Sequence, residues 1–171
     1  REESIYSNLN DLLEPNVEAK YYMASGYLET LKRHRERQEG RGYGFGFRVV
    51  NEKGIASPMA NTLLATGGSG KERNLIYDPK DGIGGTEIKG KKKPLNDEGI
   101  RVMTPTEWGR LQGFINYAFI GDDGQDGLSF PEGIPDAQKY KQFGNSVTIP
   151  AIEEMAKFIA ECFKILRREA V

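Results

Sequence analysis

Apolar side chains recur at three- and four-residue intervals near the C-terminus. Ile152, Met155, Ala156, Ile159 and Phe163 fall on one helical face, and Phe158, Cys162 and Ile165 widen the stripe. The spacing predicts a long helix beginning near Pro150, with Cys162 as a packing residue. Upstream, TPTEWGRLQGF predicts a short helix. Thr104 is its N-cap, Pro105 its first residue, Glu107 the partner that completes a capping box, and Gly113 its stop. DAQKYKQFG predicts another, capped by Asp136 and stopped by Gly144. Residues 115–135 between them show no period. Towards the other end, Tyr27, Leu28 and Leu31 form a short apolar face, followed by Lys32, Arg33, Arg35 and Arg37. That is a helix with a basic second half, which suits the macrodipole, closed by Gly40.

The stretch 41–78 has another texture. GYGFGFRVV alternates glycine with aromatic residues, and ANTLLATGGSGKERNLIYD reads as two short strands around a glycine-rich loop. Such alternation predicts twisted antiparallel strands, with glycines at bulges or close approaches. Residues 79–99, rich in Gly and Lys, predict an exposed loop or hairpin. Residues 1–24, with Pro15 and several Asn, read as a weakly structured lead-in. No internal repeat is present. The shift near residue 100, from strands and loops to helices, marks the internal boundary: lead-in 1–24, a β-rich unit 25–100 and a helical unit 101–171.

A chain of 171 residues buries roughly 70% of its unfolded surface, enough for a real core. With 24 Lys and Arg against 25 Asp and Glu, the net charge is −1, so only clustering of charge informs on partners. A single cysteine rules out a disulfide framework and a cysteine zinc site, and fits a reducing compartment. No apolar run approaches the ~20 residues that span a bilayer, and no membrane partner is expected. The chain opens on Arg1 rather than Met and is expected to be part of something longer.

Several chemical signatures fail on spacing. GGSGKER lacks the Gly five residues before its last Gly and the Ser or Thr after Lys71 that a phosphate loop needs. GYGFG lacks the dinucleotide spacing. His34 is the single histidine and lies inside the basic helix. GDDGQDG lacks the alternation and closing Glu of a calcium loop. No catalytic set and no metal site is expected. What persists is Arg41, Tyr43, Lys71 and Arg73 in or beside two glycine-rich loops. Such side chains reach phosphates or a guanine edge, although ordinary hairpin turns with solvated charges give the same pattern.

RVMTPTEWGRLQGF and AQKYKQFGNSVTIPAIEEMAKFI resemble the ninth and tenth conserved blocks of DNA cytosine-5 methyltransferases, and ANTLLATGGSG resembles the Thr-Leu core and glycine loop of that family's target-recognition domain. The resemblance is strong over 101–160 and moderate over 41–78. It implies an α+β chain in which a small twisted β-rich target-recognition domain is followed by helices that complete a Rossmann-like methyltransferase domain. It also implies that Asn145, Ser146 and Val147 line the S-adenosylmethionine pocket. From the residues alone, Ser146 or Thr148 caps the last helix and Asn145 takes a left-handed turn.

By the same resemblance, Thr62 contacts the DNA backbone near a flipped cytosine. Arg41, Tyr43 and Arg48 in one loop, and Gly68, Ser69, Lys71 and Arg73 in the other, read double-stranded DNA in the major groove. Arg101 and Glu107 are assigned to structure. The family's Pro-Cys dipeptide, Glu-Asn-Val triplet and N-terminal Phe-x-Gly-x-Gly loop are absent here. The chain is therefore expected to be the recognition part of a restriction-modification methyltransferase, inactive alone. Its partners would be the N-terminal catalytic domain or subunit and, for the isolated chain, a second copy. The setting implied is the bacterial cytoplasm beside the nucleoid. The competing reading is a non-catalytic DNA-binding module or regulatory subunit.

Overall fold

The computed structural model describes residues 6, 8–44, 47–65 and 71–169. Helix α1, Ser25–Glu39, buries Leu28 and Leu31 and ends at Gly40, whose N–H bonds to the Glu36 carbonyl at 3.0 Å. Its basic face is matched by acids: Lys32 pairs with Glu98 at 2.5 Å and Arg35 with Glu39 at 2.8 Å.

Strand β1, Leu75–Tyr77, pairs antiparallel with β2, Ile100–Val102, with Ile76 opposite Arg101. Single bridges widen this pair on both sides, Val49 onto Leu75 and Tyr22 onto Arg101. The architecture is α+β, and the sheet straddles residue 100.

The strands expected over 41–78 reduce, among the described residues, to β1 alone. Beside these bridges, three asparagine side chains bind main chain in the manner of a ladder. An asparagine amide offers one acceptor and donors at fixed spacing, so it can pair with the N–H and C=O of a single residue. Asn51 does this with Tyr77 (2.7 and 3.1 Å), Asn74 with Asn61 (2.6 and 3.0 Å) and Asn96 with Ile100 (2.9 and 2.8 Å). Extended segments are thus held in place without long strands.

Two further expectations are corrected. The described residues of the lead-in are not loose. It forms two short 3-10 turns, Leu9–Leu12 and Ala19–Tyr21, and buries Leu9, Leu12, Val17, Tyr22 and Met23. Within 79–99 the outer turns are exposed, yet Leu95 and Asn96 are buried and Leu95 exchanges main-chain bonds with Gly85 and Thr86.

Helix α2, Pro105–Gln112, carries the expected capping box between Thr104 and Glu107. It ends at Gly113 in the left-handed region (φ 79°). Helix α3, Asp136–Asn145, differs from expectation at both ends. Asp136 is its first residue rather than its cap, because its carboxylate is taken by the Tyr21 hydroxyl at 2.8 Å. Gly144 lies inside the helix, not beyond it. One core cluster joins Leu9, Leu12, Leu63 and Ile76 to Trp108, Tyr140 and Phe143, with the Trp108 and Tyr140 rings edge-to-face at 4.8 Å. A second gathers Met23, Leu28, Leu31, Phe47, Leu75 and Ile100.

Helix α4, Ile149–Glu169, extends for about 31 Å. From 151 to 167 every side chain is exposed except Cys162, which is half-buried. The helical period expected for it holds, but its apolar face packs on nothing within the described residues, so Cys162 is not a core residue of this chain. The base of α4 is held by Pro150 against Gly113 and by the Tyr117 hydroxyl donating to Glu153. No helix among the described residues is long and apolar enough to cross a membrane.

Candidate functional site

The turn after α1 is built on the helix end itself. The N–H groups of Arg41 and Tyr43 both bond to the Gln38 carbonyl, at 3.0 and 2.9 Å, and Gly42 takes φ 77° between them. Both side chains are exposed, Tyr43 by 66%. Seven residues on, the main chain of Arg48 is bound twice to the other segment. Its N–H donates to the Glu72 carbonyl and its C=O accepts from Leu75 N–H, each at 2.9 Å. Tyr27 on α1 adds a hydroxyl bond to Glu72 at 2.7 Å, and burial with that carboxylate raises its pKa to about 12. The segment at Arg48 and the 72–75 segment therefore lie side by side, with Arg48 and Arg73 both exposed.

Lys71 is placed differently. It is half-buried, with its ammonium 4.5 Å from the centre of the Tyr140 ring. Burial lowers its pKa, opposed by the charges of Glu72 and Asp136. A lysine seated on an aromatic face is partly desolvated and is less free than Arg73 to meet a phosphate. Gly68 and Ser69 lie outside the described residues.

Thr62 is exposed and opens onto a cleft of about 780 Å³ lined also by Leu12, Met59, Arg110, Gln112 and Thr148. Arg110 donates to the Leu12 carbonyl at 2.8 Å, and Thr148 donates to the Gln112 side chain at 2.5 Å. The Thr148 hydroxyl thus ties the start of α4 to α2, and the Thr148 carbonyl accepts the Ile152 N–H at 3.3 Å. Arg110 and Gln112 were not anticipated as site residues, since on the sequence they are merely polar positions of a short helix.

Asn145, Ser146 and Val147 join α3 to α4. Asn145 closes α3 and its side chain is exposed, while the Ser146 hydroxyl returns to the Phe143 carbonyl at 2.6 Å. Val147 is 61% exposed. The left-handed turn expected at Asn145 does not form: Asn145 is helical, and the left-handed non-glycine residue among those described is Asn116. None of the three lines the cleft that holds Thr62. The two groups meet through Gly144 instead. A Cβ added there would stand 2.7 Å from the Leu64 carbonyl carbon and 3.0 Å from Ala65 Cα. Glycine at 144 lets α3 lie directly on the backbone that follows Thr62. Among the described residues no three His, Cys, Asp or Glu side chains gather as a metal site.

Residues 1–161 match the family described as C-5 cytosine-specific DNA methylase. The chain is 43% identical over 150 residues to the type II methyltransferase M.HpaII of Haemophilus parainfluenzae, covering 86% of this chain and 36% of that protein. It is 31% identical over 152 residues to a DNA-cytosine methyltransferase of Escherichia coli K12, covering 88% and 30%. The chain spans about a third of the length of these curated relatives. Among solved structures, a methyltransferase of Entamoeba histolytica aligns with a TM-score of 0.47 at 18% identity, covering 94% of this chain and 42% of that one.

Proposed function

The chain belongs to the C-5 cytosine-specific DNA methylase family, and from that premise we propose that it supplies the target-recognition part of a restriction-modification methyltransferase acting on cytosine in double-stranded DNA. The catalytic part lies outside this chain. S-adenosylmethionine, when bound to the whole enzyme, supplies the methyl group. Residues 25–100 serve recognition, and 101–171 dock on the catalytic part, the two regions sharing one core.

The observation that carries the reading is the pair of main-chain bonds from Arg48 to Glu72 and Leu75. They hold Arg48 against the 72–75 segment, and Arg41, Tyr43, Arg48 and Arg73 are exposed. Such a surface suits a groove, where arginine takes phosphates or a guanine edge. Thr62 stands close by, one residue from the Asn61 that bonds the Arg73 carbonyl. Lys71 joins the surface when its ammonium leaves the Tyr140 ring. The exposed Asn145 amide and Val147 side chain fit one wall of a pocket for a polar cofactor. Ser146 contributes main chain there, since its hydroxyl is already engaged. The remaining walls come from the catalytic part.

Attack at cytosine C6 needs a thiolate, and Cys162 sits far along α4, outside the cleft. The isolated chain therefore transfers no methyl group. Incubation with labelled S-adenosylmethionine and mixed-sequence DNA tests this; incorporation above a no-protein control would refute it. Recognition is tested in the enzyme reassembled with its catalytic part. Arg41→Ala, Lys71→Ala and Arg73→Ala are expected each to weaken DNA binding, with a salt slope lower by about one for a lost phosphate contact. The exposed Lys157→Ala on α4 serves as reference. Binding unchanged from that reference in all three would end the recognition reading.

A further inference from the structure

Asn61 is joined to residues 73 and 74 by three hydrogen bonds. Asn74, 1% exposed, accepts the Asn61 N–H at 2.6 Å and donates to the Asn61 carbonyl at 3.0 Å. The Asn61 side chain in turn donates to the Arg73 carbonyl at 2.7 Å. We infer that this asparagine pair is a positioning device that fixes Thr62 and Arg73 relative to one another and so sets the base preference of the recognition surface. The inference rests on the recognition reading above.

The chemistry selects asparagine at 74. Aspartate has no donor for the Asn61 carbonyl, and glutamine carries its amide one methylene further out. Buried as it is, the Asn74 amide is stable only while paired. The neighbours face the other way: Arg73 precedes Asn74 and is exposed, and Thr62 follows Asn61 and is exposed. No strand lies within 60–65 to hold that segment by a backbone ladder, so the asparagine pair does so. Reading a base edge needs donors placed at fixed angles, whereas a phosphate contact tolerates looser placement. Slackening the pair should therefore degrade selectivity before it degrades affinity.

The test uses the enzyme reassembled with its catalytic part. It measures the ratio of methylation rates on the preferred site and on sites with one base pair changed. Asn61→Ala removes only the exposed bond to Arg73 and keeps both bonds of Asn74; Asn74→Asp removes the donor to the Asn61 carbonyl. Either is expected to lower the ratio by roughly tenfold, with affinity for unrelated DNA and its salt slope unchanged. Asn61→Gln, which keeps a donor, should recover part of the ratio. Thr62→Ala and Arg73→Ala are measured beside them. If those two shift the ratio and the asparagine variants change only the melting temperature, the pair is merely structural and the inference fails while the recognition reading stands. If Thr62→Ala and Arg73→Ala leave the ratio untouched, neither side chain reads a base and the inference fails, while the recognition reading falls only with the DNA-binding test above. Should Asn74→Asp not fold, Asn61→Ala alone decides between these outcomes.

Discussion

Arg101 and Glu107 meet through two parallel bonds of 2.8 Å, with neither side chain exposed to solvent. Arg101 also reaches Asp78 at 2.7 Å, and Glu107 accepts the N–H of Thr104 and of Glu14 at 2.8 and 2.9 Å. One carboxylate thus closes the α2 capping box, anchors the N-terminal segment and neutralises the β2 arginine. Burial alone disfavours the Arg101 charge; Glu107 and Asp78 outweigh it and raise its pKa above the ordinary value. Glu107→Gln keeps the shape and removes the charge. It is expected to destabilise the fold by about 3–5 kcal/mol, the usual effect of breaking a buried pair. Urea unfolding measures it, and a loss under about 1 kcal/mol would show that Asp78 suffices alone.

At Gly144, alanine would normally favour a helix by about 1 kcal/mol. Here its methyl would meet the Leu64–Ala65 backbone, which cannot swing aside as a side chain does. Gly144→Ala is expected to cost a net ~1–3 kcal/mol. A thermal melt decides the sign, and a higher melting temperature would mean that the 64–65 segment yields readily.

The Tyr22 hydroxyl, inside the fold, donates to the Asp78 carbonyl at 3.0 Å. Burial, then the Asp78 charge, raises its pKa from 10.0 to about 12. A phenol whose folded pKa is raised contributes stability that is complete below the unfolded pKa and disappears as pH rises through the folded one. Stability should therefore fall between about pH 10 and 12. Tyr22→Phe, measured by urea midpoints across that window, should show a shallower fall than the parent; equal slopes would exclude Tyr22 as a contributor.

Ile152, Met155, Phe158, Ile159, Phe163, Ile165 and Leu166 on α4 are each 46–67% exposed. An apolar surface of that extent drives association unless a partner covers it. The isolated chain is expected to self-associate and to bind a dye for exposed apolar surface. Phe158→Lys with Phe163→Lys should yield a monomer by light scattering. A monomeric, dye-silent parent at high concentration would count against an interface on this helix.

Much of the helical part was legible in the residues. The α2 box is a matter of Thr104, Pro105 and Glu107, all within one turn. The left-handed stop at Gly113 is a property of a residue without Cβ, and the α4 stripe is a period. Each depends on energies between neighbours along the chain. What eluded the sequence joins distant positions. Asn51, Asn74 and Asn96 look like turn formers, and nothing adjacent to them says that they pair with Tyr77, Asn61 and Ile100. The N-terminal segment looked loose because its few apolar residues lack a period, yet Leu9 and Leu12 complete a core built by Trp108, Tyr140 and Phe143. Asp136 looked like a cap, but Tyr21, 115 positions earlier, claims its carboxylate. That Arg48 lies against Glu72 and Leu75 likewise follows from chain closure. Local patterns determined which α-helices form, because capping and amphipathic period act within a few residues. The packed chain decided which polar groups are buried together and which arginines face outward, because those pairings exist only once distant segments meet.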